Sequence, residues 1–295
     1  MCKSLPFILS GFCCREKVIK YNIMNLNNKH INQFKKDGYF VYENLINLKA
    51  CEKINRIIHK LNKNKKAFSE LDLNFPFSKM DKNKKVIPIT SLKQNHLVNG
   101  LIKLDKILKI GEFLTEQKLK VWYKKFYPKH AFDGDNEVYH QDYFYHKKKG
   151  LNVKNYLQCF IAFHDHNISG GCLRVFKGSH KLGLVKHENI MTRNGISKFT
   201  IPASSLLRIS KKCKLENLEL KKGSCVFFTY NTIHGSSSNA SKNNQNRMVC
   251  QMMSLNAAHK ISTNLNIGNK RTEKEVEILN KMISTLQKSS KSVLI

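Results

Sequence analysis

Apolar and polar positions fall into two regimes along the chain. In the first third they recur at helical spacing. LKACEKINRIIHKLNKN places Ile54, Ile57, Ile58 and Leu61 three or four residues apart, on one side of a helix. The same periodicity returns from Asn95 to Thr115. Ahead of both, NKHINQFKKDGYFVYENLI predicts a short helix, a turn at Asp37-Gly38 and a strand from Tyr39 to Tyr42. Residues 63–86 are polar and Lys-rich and read as a surface loop. From residue 118 the pattern changes. An opening strand over 118–128, which ends in LKVWYKKFYP, leads into short apolar or β-branched runs at 137–145, 156–164, 172–176, 204–209, 224–230 and 247–254, separated by polar turns. Helices followed by short strands predict helices packed on a β-sandwich or barrel. A last stripe, Val276, Ile278, Leu279, Met282, Ile283 and Leu286, predicts a C-terminal helix over about 271–287 that docks on the body.

Composition refines this picture. A chain of 295 residues can bury a full core. The expected organisation is one domain over 28–295, with its β core over about 118–255, behind a peripheral extension over 1–27. Within that extension LPFILSGF is apolar but short and has no small-residue cleavage site after it, so it is not read as a signal peptide. No apolar run approaches a membrane span. Nine cysteines, without any CxxC spacing, exclude a disulfide framework or zinc ribbon and point to the reducing cytoplasm.

The formal charge of +31 raises the question of a polyanionic partner. Nucleic-acid binding would need a localised basic stripe interleaved with aromatic platforms. Here the Lys clusters (60–66, 79–85, 147–149 and 211–214) are scattered, so no nucleic acid is expected. Attraction of an anionic small molecule is compatible with the charge.

The candidate chemistry begins at His140-Gln141-Asp142. In an extended segment His140 and Asp142 project to the same side. An imidazole and a carboxylate there are two thirds of the facial site that suits non-haem Fe(II). A second cluster lies in CVFFTYNTIHGSSSNASKNNQNRMVCQMM. His234 follows an apolar strand and precedes a Gly-Ser turn. Arg247, 13 residues later, opens the expected neighbour strand, and Arg is suited to bidentate capture of a carboxylate. His164 and His166, in Phe163-His164-Asp165-His166, are rival ligands. His180 reads as a hydrogen-bonding residue of a turn, and His146 and His187 as surface residues.

His140, Asp142, His234 and Arg247, in that order, resemble the phytanoyl-CoA dioxygenase family of Fe(II)/2-oxoglutarate oxygenases. FKKDGYFVYENLI is similar to the family's N-terminal segment. NISGGCLRVFKGSHKLG resembles its "NGCL-x-v-x-PGSH-K-x-G" hairpin, and LKKGSCVFFTYNTIHGSSSNAS resembles "PGDvvfFh-x-x-x-HGS-x-x-N-x-S". The similarity runs over roughly 31–255, with Lys177 in place of a Pro and Ser224 in place of an Asp. It implies an α+β fold with a mainly β core, a double-stranded β-helix (jelly roll) flanked by N- and C-terminal helices. It also implies His140, Asp142 and His234 as iron ligands, and Arg247 with Ser236 on the distal carboxylate of 2-oxoglutarate. Gln141 would contact the cosubstrate, and Phe160 stands where some members carry Trp. Lys124, Lys125 and Lys129 are equivalent candidates for a further carboxylate contact. Halogenating relatives lack the ligand carboxylate, so Asp142 implies hydroxylation, with O2 and 2-oxoglutarate consumed. The substrate would be a small molecule, anionic or CoA-linked. The segments 63–95, the KKKG after Tyr145 and 183–203 would form its lid. A catalytically silent relative that only binds a ligand is the alternative, and the intact set of four residues argues against it.

Overall fold

The computed structural model describes residues 26–63, 87–88, 92–132, 136–148, 156–191 and 197–254. Almost all of the expected extension, nearly all of the 63–86 loop and the 271–287 helix lie outside the described residues.

Helix α1 (Asn28–Asp37) starts at Asn27, whose side chain accepts from Lys29 N at 3.0 Å while His30 Nδ1 accepts from Asn27 N at 3.0 Å. It stops at Gly38, whose φ of 81° is a left-handed cap that suits glycine. Strand β1 (Tyr39–Tyr42) follows, then α2 (Leu48–Lys63) and the two-residue β2 (Ile87–Pro88). The single periodic stretch expected over 95–115 is two helices, α3 (Leu92–Leu101) and α4 (Leu104–Thr115). They break where Lys103 adopts a φ of 51°, a conformation a helix interior does not accept.

Six strands form the major sheet in the order β1-β10-β5-β12-β3-β2, where β3 is Leu119–Tyr127, β5 Tyr156–Ala162, β10 Cys225–Thr229 and β12 Arg247–Ser254. The minor sheet has the order β4-β11-β6-β9, from β4 (Glu137–His140), β11 (His234–Ser236), β6 (Leu173–Phe176) and β9 (Leu215–Leu218). Every pairing is antiparallel. The hairpin β7 (Glu188–Met191) and β8 (Ser197–Thr200), which the sequence reading missed, meets β4 through Ile201 N donating to Tyr139 O at 2.9 Å.

Alternation along the central strands sorts their side chains into two layers. Leu157, Cys159, Ile161, Phe227, Met248, Cys250 and Met252 point to the helices, where they pack with Ile54, Ile58, Ile107, Ile110 and Leu114. Their alternates Phe160, Ala162, Val226 and Phe228 meet Leu173, Val175 and Leu218 of the minor sheet. Each fully buried aliphatic side chain contributes about 1.5–3 kcal/mol, so the helical layer holds the major sheet firmly. The strand expected at 204–209 is instead helix α6 (Ala203–Ser210). Leu206 and Ile209 lie three apart, a helical spacing, and pack with Phe176 and Ile233 beneath the minor sheet. Among the described residues no helix is long and apolar enough to cross a membrane.

Candidate metal centre

Strands β4 and β11 are neighbours, and their register pairs His234 directly with His140. The ring centroids are 4.4 Å apart. His140 Nδ1 lies 2.7 Å from Val138 O, and His234 Nδ1 3.0 Å from Thr232 O. A carbonyl only accepts, so each Nδ1 carries its hydrogen and each neutral ring presents an Nε2 lone pair. The preceding turn supports this placement. Ser179 Oγ accepts from Ile233 N at 2.9 Å, and Thr232 Oγ1 donates to Gly38 O at 2.7 Å.

Asp142 completes the group. Its Oδ1 is 3.6 Å from His140 Nε2 and its Oδ2 is 3.6 Å from His234 Nε2. One ligand atom from each residue lies within 4.8 Å of the others, and among the described residues no other trio of His, Cys, Asp or Glu is so arranged. The period-2 argument for His140 and Asp142 does not hold, however. Strand β4 ends at His140, and Asp142 is the first residue of helix α5 (Asp142–Lys148). The chain turns because Tyr143 N donates to Tyr230 O at 3.1 Å and Phe144 N to Gln141 O at 3.1 Å. The two ligands meet across a strand-to-helix turn.

The electrostatics fit a cation. Burial opposes charge on Asp142, yet the neighbouring His234 and His140 outweigh it and hold the carboxyl below its usual range. Burial likewise disfavours the His140 imidazolium, but Asp142 beside it raises the pKa. His234 is lowered, first by burial and then by His140. Two imidazoles and a carboxylate, buried or half-buried, with open space beside them, form a donor set that fits Fe(II).

That open space is a cavity of about 280 Å³ between the two sheets. Register lays out its floor. Arg247 pairs with Ala162 and Tyr127, Val249 with Phe160 and Lys125, and Gln251 with Gln158. Arg247 therefore stands at one end, with its guanidinium carbon 5.7 Å from the Tyr127 ring centre. Its Nη1 is shielded from solvent and has no hydrogen-bond partner, which fits an anion bound there. Burial lowers its pKa.

Ser236 and Phe160 line the cavity. Gln141 does not. It is fully buried, donating to Gly183 O and Asn231 O at 2.7 Å each and accepting from Val185 N at 2.9 Å, so its amide braces two backbone segments, 183–185 and the turn at Asn231. Of the three lysines, Lys125 lines the cavity, whereas Lys124 turns toward the helices and donates to Asn99. Lys129 is buried beneath Ser236, 2.7 Å from Gly171 O and 3.3 Å from Ser236 Oγ, and also donates to Ser237 O. Burial and the Arg247 charge lower its pKa to about 7.

The rival ligands lie elsewhere. His164 Nδ1 accepts from Asn246 N at 3.0 Å, and His166 is buried with its ring edge against Phe160. His180 Nε2 is 3.1 Å from Lys35 O, the turn role expected. His146 and His187 are not surface residues. His146 is half-buried and stacks on Tyr156, while buried His187 stacks on Phe144 and accepts from Gln141 N at 3.1 Å. Sequence reasoning also missed Glu137, Tyr145, Gln158 and Lys198 on the cavity wall. For Gln158 a signal existed, the one polar side chain within the buried run YLQCFIA.

A family model described as phytanoyl-CoA dioxygenase matches residues 34–249. The chain belongs to the phytanoyl-CoA dioxygenase family. Among curated proteins, the ectoine dioxygenases of Bordetella parapertussis and Bordetella bronchiseptica are each 28% identical over 120 residues, covering 38% of this chain. The match spans only 39% of the length of those relatives. Among solved structures, EctD from S. alaskensis with 2-oxoglutarate and 5-hydroxyectoine superposes with a TM-score of 0.63 at 16% identity, over 79% of this chain and 77% of that one. The 2-oxoglutarate-dependent epimerase SnoN from nogalamycin biosynthesis gives 0.55 at 13% identity, over 77% and 82%. At such identities the superpositions show the fold, the jelly roll of this family. Lys177, in place of the family's Pro, lies 3.2 Å from Asp37 and ties its turn to the end of α1.

Proposed function

We propose that the chain is an Fe(II)- and 2-oxoglutarate-dependent oxygenase that hydroxylates an aliphatic C–H bond of a small polar molecule. One observation carries the reading. A His140–Asp142–His234 donor set and a half-buried Arg247 with a shielded, unpartnered nitrogen line one cavity.

His140, Asp142 and His234 would hold the metal. Bound iron would supply O2 activation, coupled to decarboxylation of 2-oxoglutarate to succinate and CO2. Arg247 would grip the distal carboxylate of the cosubstrate, with the Ser236 hydroxyl beside it. Charge-assisted bonds from a planar fork fix orientation as well as position. Phe160 and Val249 make the middle of the floor apolar. Lys125 on the wall supports a substrate that carries an anionic group, whereas Lys198 there is paired with Glu137 at 3.2 Å. The names of the ectoine dioxygenase relatives support a small-molecule substrate. Six described cysteines, all free and buried, support a cytoplasmic protein, which we read as one domain over 28–295.

The test is an anaerobic titration of the metal-free protein with Fe(II) and 2-oxoglutarate, followed by the visible charge-transfer band of the chelate. A saturable band that is lost in His140→Ala and weakened in Arg247→Ala is expected. A folded protein without the band would instead be a ligand-binding relative that does no chemistry.

A further inference from the structure

Strand β5 is buried along its whole length, yet it carries a primary amide at Gln158, which is 4% exposed. Burying an amide costs free energy unless it is hydrogen-bonded. Here Gln158 Nε2 donates to Asp142 Oδ2. The two residues come from unlike elements. Asp142 opens the seven-residue helix α5, whereas β5 lies between β10 and β12 at the centre of the major sheet. The amide therefore ties the carboxylate of the metal centre to the most firmly packed strand. It also divides the carboxylate. Oδ1 faces His140, while Oδ2 faces His234 and receives the amide hydrogen.

We propose that Gln158 is a positioning residue that fixes the Asp142 carboxylate, holding Oδ2 so that Oδ1 is the oxygen offered to the metal. This rests on the metal-centre reading above. A neutral donor suits the task because it holds the oxygen without competing for the cation, as an acidic neighbour would. Partners that orient a ligand in this way set metal affinity strongly.

The experiment compares wild type with Gln158→Met, which keeps the length and roughly the volume but has no donor. Mn(II) binding to the metal-free proteins is measured by calorimetry, the Fe(II)–2-oxoglutarate band by anaerobic titration, and folding by the melting temperature of the metal-free form. Gln158→Met should bind Mn(II) about 10–100-fold more weakly and displace the band, while melting no lower than wild type without metal. Wild-type affinity and an unmoved band in Gln158→Met would overturn the assignment and leave the metal centre standing. Absence of metal binding in wild type itself would overturn both. Should Gln158→Met not fold, the side-chain amide of Gln158 in ¹⁵N-labelled, Zn(II)-loaded wild type decides. A hydrogen-bonded resonance protected from exchange supports the role, and a freely exchanging one overturns it.

Discussion

Arg247 and His234 sit on facing sheets, and their side chains divide the work of one cavity. Removing the guanidinium strips the cavity of its planar fork but leaves the imidazoles in place. Arg247→Ala should weaken 2-oxoglutarate binding by about 10–100-fold, from the ~1.5–3 kcal/mol of a charged hydrogen bond, with metal affinity unchanged. Arg247→Lys should recover only part of the loss, because an ammonium cannot form the bidentate pair. Equilibrium titration with 2-oxoglutarate in the presence of Mn(II) checks both. His234→Ala should do the reverse. It should abolish metal binding in a protein whose circular dichroism is that of wild type, because β11 is held to β4 and β6 by backbone pairing that does not use the ring.

At the level of elements, the centre depends on how closely β11 approaches β4. A Cβ on Gly235 would stand 2.7 Å from Glu137 O, a backbone atom that cannot swing aside. Gly235→Ala must push the two strands apart, and they carry His234 and His140. Metal affinity should fall in this variant together with a stability loss of about 1–3 kcal/mol, both read from denaturant unfolding with and without Mn(II). A cavity in the helical layer should act differently. Ile107 is fully buried between α4 and the major sheet, so Ile107→Ala should cost about 2–5 kcal/mol while metal binding to the folded protein stays at its wild-type value.

For the molecule as a whole, buried histidines set the acid limit. Burial lowers the pKa of His166 to about 3, with the Arg247 charge adding to it, and that of His187 to about 4. The unfolded chain, with imidazoles near their ordinary ~6.5, therefore binds more protons than the folded one below that pH. Their contribution to stability is complete above about pH 6.5 and is lost as pH falls toward 4. The melting temperature should decline steeply as pH falls below 6.5, and Lys129, lowered to about 7, should make it rise further between pH 7 and 8. His166→Asn should flatten that slope, by an amount corresponding to about 3 kcal/mol between pH 7 and 4. Comparing the two proteins separates this effect from the general repulsion of a chain carrying a formal charge of +31.

The sequence by itself determined the elements whose pattern is local. The cap and strand from Asn28 to Tyr42, the periodic face of α2, and the runs that become β3, β5, β10 and β12 all follow from side-chain spacing and turn residues. His140, Asp142, His234, Arg247, Ser236 and Phe160 were also legible, because motif order and residue type survive without coordinates. Tertiary structure decided what depends on partners distant along the chain. It turned 204–209 into a helix, since short apolar runs take their form from what they pack against. It made Asp142 the start of a helix, through a hydrogen bond from Tyr143 to Tyr230 that no local pattern encodes. It drew Gln141 away from the cavity and brought Gln158 onto the Asp142 carboxylate. It also separated Lys124, Lys125 and Lys129, neighbours in sequence whose surroundings are set by strand alternation and by which sheet lies above them.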